Sequence, residues 1–81
     1  MDLYINNLAA GTIEQQLQDL FEPFGEVSDI RINKNSFTKM NKGNAMLRMR
    51  NSEEAKEAIA ALNGKSFNGK KITVNIALPR I

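Results

Sequence analysis

The chain has 81 residues, enough for one small domain spanning residues 1–81. A chain of that size buries only about 60% of the surface its unfolded form exposes. Apolar residues make up 42% and charged residues 25%, with five Gly and two Pro, a folded composition rather than a disordered or collagen-like one. Cys and His are both absent, which excludes disulfide frameworks, thiolate nucleophiles, zinc sites built on Cys or His, and every His-based triad.

The longest apolar run, Ala58 to Leu62, falls far short of the roughly 20 residues that span a bilayer. No basic-then-apolar leader follows Asp2, so a cytoplasmic protein with no membrane partner is expected. Net charge is only +2, but the charges are segregated. Residues 1–29 carry six acids and no base, and residues 30–52 carry six bases and no acid. Residues 53–64 are mostly acidic, and residues 65–81 hold four bases and no acid. Such a pattern suits a dipolar molecule with one basic face, a footprint for a polyanion. Solubility alone would also place acids in helix first turns and bases on edge strands.

In chain order, Leu3-Tyr4-Ile5-Asn6 alternates with period 2 and reads as a strand. Thr12 with Gln15 forms a capping box, and Ile13, Leu17, Leu20, Phe21 and Phe24 fall on one helical stripe that Pro23 and Gly25 end. Val27 to Asn33 alternates again, a second strand. Lys34 to Asn41 is a polar, basic loop with Phe37 its one aromatic. Ala45, Leu47 and Met49 alternate with Asn44, Met46, Arg48 and Arg50 in a third strand. Asn51 caps a second helix, with Glu54 as its box partner and Ala55, Ala58, Ile59 and Leu62 as its buried stripe. Asn63-Gly64 stops that helix and Asn68-Gly69 is a turn. Ile72, Val74 and Ile76 alternate in a last strand, closed by Pro79.

The order is strand, helix, strand, twice over, with a period of roughly 42 residues. Right-handed crossovers put both helices on one face. The expected fold is therefore α+β, a ferredoxin-like split β-α-β sandwich. Its four-stranded antiparallel sheet has the first and third strands central. The inward face takes Leu3, Ile5, Ile30, Ile32, Ala45, Leu47, Met49, Ile72 and Val74. The outward face shows Tyr4, Asn6, Arg31, Asn33, Lys42, Asn44, Met46, Arg48, Lys71, Thr73 and Asn75. A bare sheet surface with one aromatic among bases and amides can stack an unpaired base on Tyr4. Its cations can hold a backbone, and its Asn side chains can read base edges. The plainer account of Tyr4 is an aromatic chosen for β-propensity.

At these residues the chain resembles the RNA recognition motif family along nearly its whole length. Leu3-Tyr4-Ile5-Asn6-Asn7-Leu8 matches the family's hexamer on the first strand. Lys42-Gly43-Asn44-Ala45-Met46-Leu47-Arg48-Met49 aligns with its octamer on the third, with Asn44 and Met46 in place of the two outward aromatics and Met49 in place of the inward one. Phe21 to Val27, Asn51 to Ala55, and Ala61 to Lys70 resemble the first helix end, the second helix and the turn that follows. The resemblance implies a single-stranded RNA-binding module with no cofactor, and single-stranded DNA as a ligand of the same chemistry. Tyr4 would stack a base, Lys42 and Arg48 would meet phosphates, and Asn6, Asn44 and Asn75 would meet base or sugar. Met46 would add apolar platform area. Arg31, Lys71 and Arg80 complete the expected set. The tail from Ala77 to Ile81 would cross the sheet face, adding Arg80 or covering the platform with Leu78 and Ile81. Phe37 is expected to pack on the rim, with stacking in place of a lost aromatic as the alternative.

Two missing aromatics imply a loss of roughly 2–6 kcal/mol of stacking. Two or three neutralised phosphates imply a salt slope of about −1.4 to −2.1. The rival is a protein-binding or self-associating module that uses Tyr4 and Met46 as a small sticky patch. Other signals are weaker. Gly64-Lys65-Ser66 echoes a phosphate-binding loop, but the earlier glycine of that pattern falls at Ile59. Glu22 with Glu26 and Glu53 with Glu57 have helix-like spacing and read as solvated surface, so no enzyme is expected. For a short chain that starts with Met, the family resemblance implies a stand-alone bacterial protein.

Overall fold

Period-2 alternation makes Leu3 and Ile5 wholly buried in strand β1 (Asp2–Asn6) while Tyr4 and Asn6 stay exposed. Helix α1 (Glu14–Phe21) follows, extended by one 3₁₀ turn (Glu22–Phe24) with Pro23 inside it. Then come β2 (Val27–Lys34), β3 (Asn41–Met49), α2 (Ser52–Leu62), β4 (Ser66–Phe67), β5 (Lys70–Lys71) and β6 (Thr73–Ile76). The computed structural model describes residues 1–77.

Antiparallel pairing gives the order β2-β3-β1-β6, so β1 and β3 are central as the pattern predicts. One cluster joins the inward residues Leu3, Ile5, Ala45, Leu47, Met49, Ile72 and Val74 to Leu17 and Phe21 of α1 and Ala55, Ala58 and Leu62 of α2. Both helices therefore cover the same face. Burying a large apolar side chain stabilises by about 1.5–3 kcal/mol, and Phe21, Leu17 and Leu47 are wholly buried. Ile30 and Ile32 are only half-buried, because β2 is an edge strand. Ile76 stays 42% exposed at the far end of the other edge strand, β6.

The start of α1 differs from the expected capping box. Ile13, not Thr12, is the cap, and its N–H donates to Gln16 Oε1 at 3.1 Å. Gln15 reaches forward to Asp19 instead. Thr12 is buried because its hydroxyl accepts from Asn68 Nδ2 at 3.2 Å, which fixes it to the turn between β4 and β5. Ile13, standing outside the helix, leaves the apolar stripe and is exposed. At α2 Asn51 is the cap, its Oδ1 accepting from Glu54 N–H at 3.0 Å, but the reciprocal bond of the expected box is not made among the described residues. The Glu54 side chain lies over Gly25, where an added Cβ would collide with it, so the α1–β2 connection needs a residue without one.

The Asn68-Gly69 turn joins the short strands β4 and β5 into a hairpin. Both residues have positive φ, +53° and +85°, as a two-residue loop of that hand requires.

The loop before β3 is shorter than the sequence suggests, since β3 begins at Asn41. The Asn41 amide Nδ2 donates to the carbonyls of Ala9, Ala10 and Thr12 at 2.8, 2.9 and 3.2 Å. Its Oδ1 accepts from Gly43 N–H at 2.8 Å. Gly43, at φ +95°, then offers its carbonyl to Leu8 N–H at 2.9 Å. One side chain thus fastens the β1–α1 loop to the start of β3, beside the open face. Asn41→Ala removes these bonds from carbonyls with few other partners. It should lower stability by about 1–3 kcal/mol, read as a lower urea midpoint at unchanged slope. An unchanged midpoint would contradict the fastening role.

Candidate nucleic-acid interface

Strand register converts the outward residues into rows. Tyr4 on β1 stands opposite Met46 on β3 and Asn75 on β6, and Met46 stands opposite Arg31 on β2. The central row is therefore Arg31, Met46, Tyr4, Asn75. Tyr4 is 41% exposed and Met46 38%, so ring and thioether are both open to solvent. The next row contains Asn44, Asn6 and Thr73, by the pairs Asn6↔Asn44 and Asn6↔Thr73. A shallow groove runs between the two rows, lined by Tyr4, Arg31, Asn33, Asn44 and Met46 among others. Neighbouring strands are about 4.8 Å apart, so these side chains form one continuous floor with a ring and a thioether at its centre.

The row on the other side of Tyr4 is charged. Asp2 stands opposite Arg48, and Asp29 faces Arg48 from β2. Arg48 Nε donates to Asp2 Oδ1 at 2.7 Å and Nη2 to Oδ2 at 3.3 Å. That hydrogen bond from Arg48 holds the Asp2 carboxyl below its usual range and raises the already high pKa of the guanidinium. Arg31 Nε donates to Asp29 Oδ2 at 3.3 Å. The expected free cation Arg48 is thus ion-paired, and the supposed basic face is balanced at this end. Asp2 and Asp29 were legible: each stands two residues before an outward residue, Tyr4 and Arg31, on the same alternation.

Lys42 lies at the start of β3 beside Gly43, whose left-handed backbone interrupts the alternation there. It is exposed and makes no ion pair among the described residues. Lys34, by contrast, reaches Glu14 at 3.3 Å. Lys71 is not in the main sheet. It sits in β5 opposite Ser66, because the chain turns into the β4–β5 hairpin before β6 begins. Asn7, at φ +64°, donates its side-chain amide to the Lys71 carbonyl at 2.8 Å, tying the hairpin to the end of β1. Arg80 and the tail from Leu78 to Ile81 lie outside the described residues.

Phe37 does not pack on the rim. It is 92% exposed at the tip of the β2–β3 turn. Asn35 Oδ1 accepts from Phe37 N–H at 2.9 Å and Thr38 N–H at 3.1 Å, and this side-chain turn points the ring away from the core. No helix among the described residues is long and apolar enough to cross a membrane.

Residues 3–73 match the family model of the RNA recognition motif. A curated relative, small ribosomal subunit protein uS19m of Arabidopsis thaliana, is 37% identical over 75 residues, 93% of this chain and 35% of that protein. Organelle RRM domain-containing protein 1, chloroplastic, of Oryza sativa subsp. japonica is 35% identical over 78 residues, 96% of this chain and 20% of that protein. The chain thus spans about a third or less of these relatives, whose plant and chloroplast settings differ from the cytoplasmic, bacterial one that the sequence suggests. Among solved structures, RNA-binding protein PG1 superposes with a TM-score of 0.93 at 30% identity, covering 100% of this chain and 98% of that one. A sex-lethal protein in complex with RNA gives 0.89 at 32% identity, covering 94% and 47%. The split β-α-β topology, the open face and the family match over residues 3–73 agree: the chain belongs to the RNA recognition motif family.

Proposed function

We propose that the chain binds single-stranded RNA across its open sheet face, by equilibrium binding with no cofactor and no chemical step. The observation that carries this reading is the central row, in which an exposed Tyr4 ring lies between Met46 and Asn75 on a sheet face that no helix among the described residues covers. Membership of the family supports it, as does the likeness to a sex-lethal protein solved as an RNA complex.

Each role follows from chemistry. The Tyr4 ring stacks one base, and Met46 beside it provides a polarizable contact without the face of an aromatic. Asn6, Asn44 and Asn75 each carry an amide that both donates and accepts, as base edges and 2′-hydroxyls require. Lys42 and Lys39 are exposed at the side of the face where β3 begins and pair with no acid among the described residues, so they serve the phosphates. Single-stranded DNA offers the same base and phosphate groups and lacks the 2′-hydroxyl.

Fluorescence anisotropy with a short labelled RNA tests the reading. Tyr4→Ala should weaken binding by about 1–3 kcal/mol while leaving the thermal midpoint nearly unchanged. Undiminished affinity would remove the platform from the account. With two phosphates neutralised, log K should fall against log salt with a slope of about −1.4, and Lys42→Ala should bring it to about −0.7. A slope unmoved by Lys42→Ala would show that this cation meets no phosphate. Absence of RNA binding at low salt, together with a mass that grows with concentration in light scattering, would favour a self-associating module.

A further inference from the structure

The ion-paired end of the open face is unsuited to a phosphate. Asp2 and Asp29 flank Arg48 from the two neighbouring strands, and Arg31 reaches back to Asp29. With Met46 and Leu47 these side chains line a recess of about 270 Å³. Two guanidiniums and two carboxylates leave it without net charge. A phosphate brings only acceptor oxygens and would meet two like charges inside it. The complement of this recess is a ligand edge that both donates and accepts, and base edges are of that kind.

The hydrogen-bonding groups left open narrow the choice. Arg48 directs Nε and Nη2 to Asp2. Arg31 directs only Nε to Asp29 Oδ2, so its Nη groups and Asp29 Oδ1 have no hydrogen-bond partner among the described residues. An open guanidinium donor therefore stands beside an open carboxylate acceptor, with Met46 exposed next to them in the row of Tyr4. The Watson–Crick edge of guanine presents one carbonyl acceptor followed by two adjacent N–H donors. A carboxylate accepts both donors in parallel while a guanidinium meets the carbonyl, and such charge-assisted pairs are the strong ones. Uracil has one N–H between two acceptors, and adenine and cytosine each have a single amino group.

We propose that this recess is a guanine-reading subsite. Asp29 accepts from N1–H and the 2-amino group, Arg31 donates to O6, and Met46 lies under the ring. Asp2 holds Arg48 and Asp29 holds Arg31, so that neither serves as a phosphate contact. The proposal rests on the RNA-binding reading above and adds a base to it, next to the base stacked on Tyr4.

Three labelled oligonucleotides test it by anisotropy: a U-rich RNA with one central guanosine, the same RNA with inosine there, and an all-U RNA. Inosine keeps O6 and N1–H and lacks only the 2-amino group. The wild-type chain should bind the guanosine RNA about tenfold tighter than the inosine RNA, the effect of one charge-assisted hydrogen bond. Asp29→Asn should bring that ratio to about one, whereas Asp19→Asn on α1, the same change of charge, should preserve it. Equal binding of guanosine and inosine RNA by the wild type would overturn the subsite and leave RNA binding standing. A ratio that survives Asp29→Asn would overturn it as well. Failure of all three RNAs to bind at low salt would overturn the RNA-binding reading itself.

Discussion

The pairing of β1 with β3 at the centre of the sheet is the constraint from which the rest follows. Its register sets Leu3 against Leu47 and Ile5 against Ala45 on the helix side, and Tyr4 against Met46 on the other. Because side chains alternate strictly along a strand, one register decides both the core and the site, and a slip of one residue would exchange them. The wholly buried Leu3, Ile5 and Leu47 hold that register through the hydrophobic effect. Tyr4 thus owes its exposure to the burial of its two neighbours.

Around that pair the open face divides by chemistry. Amides of Asn6 and Asn44 occupy one side of the central row, and ion pairs of Asp2 with Arg48 and Asp29 with Arg31 occupy the other. Lys39 and Lys42, without an acid partner among the described residues, sit toward the amide side, at the start of β3 and in the turn before it. A polyanion crossing this surface is drawn to the amide side and meets balanced charge on the other. The few positively charged side chains matter more by where their acids stand than by their number.

Much of the fold was legible because period-2 and period-3.6 patterns mark burial directly. Leu3, Ile5, Leu47 and Val74 on strands, and Leu17, Phe21, Ala55, Ala58 and Leu62 on helices, all lie where their spacing puts them. Contacts between segments distant in the chain were not legible. Thr12 has the composition of a cap, yet Asn68, 56 residues away, takes its hydroxyl. Asn41 looks like one more polar loop residue, and nothing in its neighbourhood announces that its amide bridges to Ala9 and Ala10. At the site, the outward placement of Tyr4, Asn6, Asn44, Met46 and Asn75 came from alternation, and their selection from the family resemblance. The pairing of Arg48 needed the cross-strand register that only the folded sheet supplies. Lys71 was misplaced because a two-residue hairpin strand looks like the start of the last strand until the turn at Asn68 and Gly69 is seen to pair it with Ser66.

The most direct measurement is a titration of the ¹⁵N-labelled chain with short single-stranded RNA, followed by amide shifts across the whole backbone. The shifts should concentrate on β1 and β3, at Tyr4, Asn6, Asn44 and Met46, and on β6 at Asn75, with α1 and α2 unmoved. Shifts confined to the helices, or a spectrum unchanged at saturating RNA and low salt, would contradict it.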